Sequence, residues 1–355
     1  MSATVLIWTG FTEYSGAMIE GHGDDGYRYG GIKADFSSNV PCGVNHAPLL
    51  EYLSGIMDVI SHYPEPEPYT FEKEIAAELG IPEGCVLVTN GATEAIYLTA
   101  HMLAGKNTAI LEPAFREYRD ACTIYGHRIT GAVALEELSA GGFNSVWLCN
   151  PNNPTGKALL PERIMTLAAE NKDTAVVVDQ SYEAFTLSPR LLPSEAVAEY
   201  PNVIQIHSMT KHFAVPGLRI GYITASEEIC RRIRCLRMPW SVNALAVEAG
   251  RWLLRHGLSG PSLPSLLSEA ARVSAGLVST GGFYPMPSDT HFMLVTTRYG
   301  TAAALKDWLA RTQGILIRNA DNFHGLSPAH FRIAVQSPAH NDMLINALKQ
   351  WIRLF

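Results

Sequence analysis

The chain has 355 residues, 47% hydrophobic and 17% charged, with a net charge of −7 and an isoelectric point near 5.9. That length supports a large core and suits two domains better than one, and the acidic balance leaves no electrostatic footprint for nucleic acid. Six scattered cysteines form no C-x-x-C pair, the twelve histidines form no H-E-x-x-H, and no apolar run is long enough to cross a bilayer. Neither metal, disulfide framework nor membrane is indicated, and a reducing cytoplasm is the expected location.

In chain order, "MSATVLIWTGFTEYSGAM" lacks the basic start of a signal peptide. Residues 1–17 are expected to pack loosely, as an over-long start before Met18. "GHGDDG" at 21–26 matches G-x-G-x-x-G, but the stretch before it is a poor strand and "YRYGGIK" cannot open a helix. The nicotinamide-dinucleotide reading therefore stays open only as the last of four, and the segment reads better as a glycine-rich stretch over an active site. Residues 33–65, with Asn39, Pro41 and "HYPEPEP", are expected to join a small domain or a subunit interface.

From about residue 70, short apolar runs alternate with helical stretches. "FEKEIAAELG" and "ATEAIYLTAHMLAG" have helical spacing. "CVLVTN", "TAILEP", "SVWLCNPNNPTG", "TAVVVDQSY", "NVIQIHSMTK" and "LRIGYIT" are strand-like. Fully apolar short strands between helices predict a mainly parallel sheet covered on both faces, an α/β fold. Around "RCLRMPWSVNALAVEAG" the chain is expected to cross to a smaller α/β C-terminal domain containing "THFMLVTT", "GILIRN" and "HFRIAVQ", with two or three strands. The expected division is an N-terminal segment 1–34, a large domain 35–245 and a small domain 246–355, with 35–65 contributing to the small domain or a dimer interface.

Ligands of such sheets sit at the carboxyl ends of the strands. Four polar sets follow strands here: Asn90–Thr93, Asn150–Gly156, Asp179–Tyr182 and Ser208–Lys211. Each alone is an ordinary turn. Together they predict a convergent site. Lys211, between two apolar runs, is placed to lose its proton and act as an amine nucleophile. Asp179 ends "AVVVD", where a buried carboxylate needs a positive partner. Tyr182 and Asn153 supply further polar groups. Thr93 lies at a strand-to-helix turn suited to phosphate, and Ser208 and Arg219 can complete that cup. Pyridoxal 5'-phosphate needs this set: an amine, a carboxylate at the ring nitrogen, donors at the phenolic oxygen and a phosphate cradle.

"NPNNPTG", "DQSY" and "SMTK", with an arginine eight residues after the lysine, resemble fold-type I pyridoxal-phosphate enzymes of the aminotransferase superfamily over about residues 35–355. "MTKHFAVPGLRIGY", "RMPWSVNALA", "GILIRN" with "FRIAVQS", and the early "GHG" are similar to the L-threonine-O-3-phosphate decarboxylase family of cobalamin biosynthesis, itself close to histidinol-phosphate aminotransferase. The resemblance implies that Lys211 holds the cofactor, Asp179 pairs with its pyridinium nitrogen, and Tyr182 and Asn153 bind its phenolic oxygen. It implies Phe115 stacked on the ring, and Ala92, Thr93, Ser208 and Arg219 on the phosphate. Tyr63 would reach that phosphate from a second subunit, making a homodimer. Arg332 would hold the substrate carboxylate and Arg318 the substrate's own phosphate, with His22 and Asn39 near the substrate. Trp240 reads as packing. Decarboxylation of threonine phosphate is the expected reaction and transamination the alternative; a cofactor-binding module without turnover is a third reading. The chain departs from the pattern at Asp24, at "FSSNVPCG", and at Gln336 where a second arginine is usual.

Overall fold

The apolar runs become strands because β-branched residues pack well on a pleated surface buried from both sides. The computed structural model describes residues 23–355 except 140, 188 and 190. After a short strand β1 (Ala34–Asp35) come β2 (Val86–Thr89), β3 (Asn107–Leu111), β4 (Arg128–Ala132), β5 (Ser145–Cys149), β6 (Ala175–Asp179), β7 (Val203–His207) and β8 (Gly221–Ala225). Strands β2 to β8 form one sheet in the order β2-β8-β7-β6-β5-β3-β4. Pairing is parallel from β4 through β7, whereas β8 runs antiparallel to both its neighbours. Every residue of β2, β5 and β7 is buried. Because β8 runs backwards, its first residue, Gly221, sits beside Thr89 at the end of β2. The ends of β2, β5, β6 and β7 and the start of β8 therefore share one edge.

A second sheet is antiparallel, in the order β12 (Arg318–Asn319), β13 (His330–Ala334), β10 (Phe292–Thr297), β9 (Phe283–Pro285). The remaining strand, β11 (Ile315–Leu316), pairs in parallel with β1. The expected single run "ILIRN" is thus divided at Ile317 between two partners, and the small sheet has four strands where two or three were expected. Two-residue strands carry no measurable period, so this division leaves no pattern in the sequence. The Phe36 carbonyl accepts from the Ala334 N–H at 2.9 Å, stitching the segment after β1 to the same unit.

Helices Leu263–Ser279 and Pro338–Ile352 place Val273, Leu277, Leu344 and Leu348 in one core with Phe283, Phe292 and Phe331 of the small sheet. Helix Ala244–His256 instead packs with Phe71 and Ile75 of helix Tyr69–Leu79. Its Gly250 lies so close to Phe71 that a Cβ would stand 2.6 Å from the ring. Among the described residues no helix is long and apolar enough to cross a membrane.

Candidate active site

A cavity of about 360 Å³ opens at the shared strand edge, between the two sheets. Lys211 lines it. The expectation that Lys211 ends a strand is corrected: β7 stops at His207, Ser208 is extended, and Lys211 lies on the helical turn Met209–His212. The chain can fold back there because Ala214 and Arg219 adopt left-handed conformations, at φ 53° and 56°. The Lys211 Nζ donates to the Ser38 carbonyl at 2.8 Å. Burial, with the nearby Arg332 and Arg219 guanidinium groups, lowers its pKa to about 8.

Asp179 is the last residue of β6 and is buried. Its Oδ2 accepts from the Tyr118 hydroxyl at 2.6 Å and its Oδ1 from the Ser181 N–H at 2.8 Å. Burial pushes the carboxyl pKa up, while the Ser181 and Tyr118 hydrogen bonds pull it down. Tyr118 went unnoticed in the sequence. It follows Phe115 by three residues in "EPAFREY", a spacing that brings two side chains to one helix face. The two rings meet edge-to-face at 5.9 Å, and both line the cavity.

At the opposite end of the Lys211 turn, helix Gly91–Met102 presents its N-terminus to the cavity. The first N–H groups of a helix have no partner within it and suit an anion. Gly91 has φ +75°, and a Cβ there would come within 2.7 Å of the Arg219 Nη2. Gly221 is pressed against the same turn, so that a Cβ would stand 2.9 Å from the Ala92 nitrogen. Two glycines thus let Arg219 and β8 close around the helix start. Ala92, Thr93, Ser208 and Arg219 all line the cavity.

The small sheet supplies the other wall. Arg318 and Arg332 face each other in register across β12 and β13, and both are buried. Arg332 donates to the Asn153 Oδ1 and the Ser37 carbonyl, while its Nε has no hydrogen-bond partner. Arg318 donates to the Asn319 carbonyl at 2.6 Å and the Asn322 Oδ1 at 2.9 Å, and lies 5.3 Å from the Phe323 ring centre. All of these partners are neutral. Burial, then the charge of Arg332, lowers the pKa of Arg318 to about 9; burial also lowers that of Arg332. Like charges placed opposite each other in a sheet are destabilising. The carboxylates of Asp25 and Asp321 offset part of this at Arg318 and that of Asp35 at Arg332, but none of them hydrogen-bonds to either guanidinium. Tyr182 sits edge-on to Phe292 at 4.8 Å, its phenol raised to about 12 by burial.

Lys211, Asp179, Tyr182, Asn153, Phe115, Ala92, Thr93, Ser208, Arg219, Arg318 and Arg332 all line this one cavity. Two described candidates do not. Asn39 is fully buried, at φ 54°, with neither amide atom in a good hydrogen bond, and its side chain lies next to Tyr182 of the cavity lining. Tyr63 is 85% exposed and packs on Trp240 at 5.2 Å, away from the cavity. His22 and residues 1–17 lie outside the described residues. Of the glycine-rich stretch, Gly23 and Asp24 line the cavity, and the Asp24 N–H donates to the Ser37 Oγ at 2.8 Å. Gln336 lines a separate cavity beside Cys42.

A lysine and a buried carboxylate at the carboxyl edge of a mainly parallel sheet, beside a helix-terminus anion cradle, define the fold-type I pyridoxal-phosphate transferases. The chain belongs to the aminotransferase class I and II family, which matches residues 32–348. It is 31% identical over 344 residues to threonine-phosphate decarboxylase of Salmonella typhimurium, covering 89% of this chain and 90% of that one. It is 30% identical over 307 residues to histidinol-phosphate aminotransferase of Chlorobium luteolum, covering 82% and 84%. The crystal structure of L-threonine-O-3-phosphate decarboxylase from Porphyromonas gingivalis superposes with a TM-score of 0.86 at 34% identity, covering 90% of this chain and 99% of that one. The protein is a pyridoxal 5'-phosphate enzyme. The residues present fit that group: an amine of lowered pKa, a buried carboxylate, and a cradle that a Cβ at Gly91 would fill.

Proposed function

We propose that the protein decarboxylates L-threonine O-3-phosphate to 1-aminopropan-2-yl phosphate, a step of cobalamin biosynthesis. One observation supports this above the others: two buried arginines face each other on the cavity wall with neutral hydrogen-bond partners, the carboxylates of Asp25, Asp35 and Asp321 acting on them only from beyond hydrogen-bond range. A substrate with both a carboxylate and a phosphate supplies two anions to such a pair. The relatives at 31% and 34% identity carry the same activity in their names.

Bound pyridoxal phosphate supplies an electron sink for the pair left at the substrate Cα. Lys211 provides the linking amine, and its pKa of about 8 leaves a useful neutral fraction to hold and return a proton at Cα. Asp179, oriented by Tyr118 and the Ser181 N–H, would pair with the ring nitrogen. Phe115 would stack on the ring, Tyr182 and Asn153 would bind the phenolic oxygen, and Ala92, Thr93, Ser208 and Arg219 would hold the phosphate. Arg332 would take the substrate carboxylate and Arg318 its phosphate, and where these two arginines hold the substrate would select the reaction, a positioning effect.

The working unit in this reading is a homodimer with Tyr63 serving the neighbouring site. Leu50, Ile60, Tyr63, Met238 and Trp240 leave large apolar surface exposed, as a subunit interface would. In this reading the chain divides into an N-terminal segment 1–34, a large domain and a small C-terminal domain, with the boundary moved from 245/246 to beyond His256 because helix Ala244–His256 packs on Phe71 and Ile75.

Incubation with L-threonine O-3-phosphate should release carbon dioxide and form the aminopropyl phosphate. Amino-group exchange between histidinol phosphate and 2-oxoglutarate, with no gas from threonine phosphate, would give the function to the aminotransferase reading instead.

A further inference from the structure

The loop between β12 and β13 carries more than its short sequence suggests. Its Asn322 accepts from the Arg318 Nη2, and its Phe323 lies under that guanidinium and lines the cavity. Phe323 and Ala320 share a small core with Leu294, and the Phe323 and Leu326 N–H groups bond back within the loop at 3.2 and 3.1 Å. The loop is therefore fixed to the small sheet. The next residue, His324, reaches from the small-sheet loop to the large sheet: its Nδ1 meets the Glu112 Oε2.

Glu112 directly follows β3 and is buried at 8% exposure. Its Oε1 accepts from the Arg119 Nε at 3.1 Å and Nη2 at 2.5 Å. Its Oε2 has no hydrogen-bond partner and His324 as its ionic neighbour. Gly131 on β4 leaves room for this carboxylate; a Cβ there would lie 3.3 Å from Oε2. Three residues beyond Glu112 stands Phe115, and beside His324 stands Phe323. The contact thus joins the two aromatic walls of the cavity from opposite sheets.

We propose that His324 is a positioning residue. By docking on Glu112 it fixes the Asp321–Leu326 loop to the large sheet, and through Asn322 and Phe323 it aims Arg318 at the substrate's anionic group. The role rests on the reading of Arg318 as an anion-binding arginine. It predicts an effect on substrate capture and not on the bond-breaking step, because His324 lies outside the cavity lining.

The test uses the pyridoxal-phosphate-loaded protein with His324→Ala, His324→Lys and Glu112→Gln. His324→Ala and Glu112→Gln should each raise KM for L-threonine O-3-phosphate about fivefold with kcat within twofold, the size of effect that a partly buried ion pair gives. His324→Lys, which places an ammonium donor at the contact, should restore KM. Hydrogen exchange at the Phe323 and Leu326 amides should accelerate in His324→Ala and return to normal in His324→Lys, with no substrate present. Unchanged exchange, or exchange that rises while KM stays fixed, overturns the proposal, as does a fall in kcat at constant KM. If the unmodified protein releases no carbon dioxide from threonine phosphate, the functional reading fails, while the exchange measurements still decide whether His324 holds the loop.

Discussion

The two walls of the cavity solve their electrostatics differently. On the large-sheet wall, Asp179 has two donors, Lys211 an acceptor carbonyl, and the helix start an adjacent guanidinium. On the small-sheet wall, Arg318 and Arg332 oppose each other with neutral partners only. The first wall is close to complete as it stands, and it suits a resident cofactor that is always the same. The second is the less compensated of the two, and in the proposed function it is the wall that selects the substrate. Changes on the first wall should therefore abolish the chemistry whatever the substrate, whereas changes on the second should trade stability against recognition.

The largest effect belongs to Lys211→Ala, which removes the linking amine. Turnover of any amino substrate should fall roughly a thousandfold or more, and the absorbance of the lysine-linked cofactor should vanish. Lys211 also leaves a signature on stability. Its folded pKa of about 8 lies below the ordinary 10.5. Between those values the unfolded chain holds the proton and the folded chain does not, so cofactor-free protein gains stability from this group as pH rises through that window, with the full penalty felt below it. Lys211→Met should therefore melt higher than the unmodified protein near pH 7, with the gap closing towards pH 10. A gap independent of pH would mean that Lys211 is not held against its charge.

Arg318→Met tests the other wall. It removes one of two facing buried cations, so cofactor-free protein should melt at the same temperature or slightly higher. kcat/KM for L-threonine O-3-phosphate should nevertheless fall about 10- to 100-fold, the loss expected for a charge-assisted phosphate contact. A variant that is both less stable and fully active would erase the contrast between the walls and make Arg318 a structural residue.

Much of the first wall was legible in the sequence because its residues follow strands with clear apolar runs. Asp179, Lys211 and Thr93 stand just beyond "AVVV", "NVIQIH" and "VLVT", where strand-end polar residues converge by topology. The second wall was legible only through resemblance. Arg318 sits in a two-residue strand split from its neighbour at Ile317, and its register against Arg332 is a tertiary fact with no periodic trace. Tyr118 was hidden for another reason. A tyrosine inside a helix reads as ordinary packing, and only the fold brings its hydroxyl to Asp179, 61 residues away. Asn39, from the "FSSN" motif, is buried beside the cavity-lining Tyr182 without lining the cavity itself. Motif matching places a residue near a site without settling which way it faces.

Tyr118→Phe measures how much of the first wall depends on that unpredicted contact. It removes one donor from a buried carboxylate, a change of about 1–2 kcal/mol or roughly 5- to 30-fold. The carboxyl of Asp179, already pushed up by burial, should rise further, so the ring nitrogen loses part of its counter-charge. kcat should fall at nearly constant KM, for threonine phosphate and for amino-transfer substrates alike. An effect on only one substrate class would move Tyr118 from the common wall to the selective one.

The smallest effect expected is also the most particular to this chain. Asp24 lines the cavity close to Lys211, and burial followed by the neighbouring Asp35 raises its carboxyl pKa. Its carboxylate acts on Lys211, and a negative charge in this cavity works against a substrate carrying both phosphate and carboxylate. Its backbone is nevertheless fixed, by the N–H bond to the Ser37 Oγ and by Gly23, where a Cβ would stand 2.5 Å from the Ser37 carbonyl. The side chain is well exposed, so solvent screens it and the effect should be modest. Asp24→Asn should lower KM for L-threonine O-3-phosphate about two- to fivefold, and most at high pH, where Asp24 is fully ionised. At pH values low enough to protonate Asp24 the two proteins should converge. A KM that rises in Asp24→Asn would show that the carboxylate accepts a donor from the substrate, and would direct the search towards a substrate with an additional amine or hydroxyl at that position.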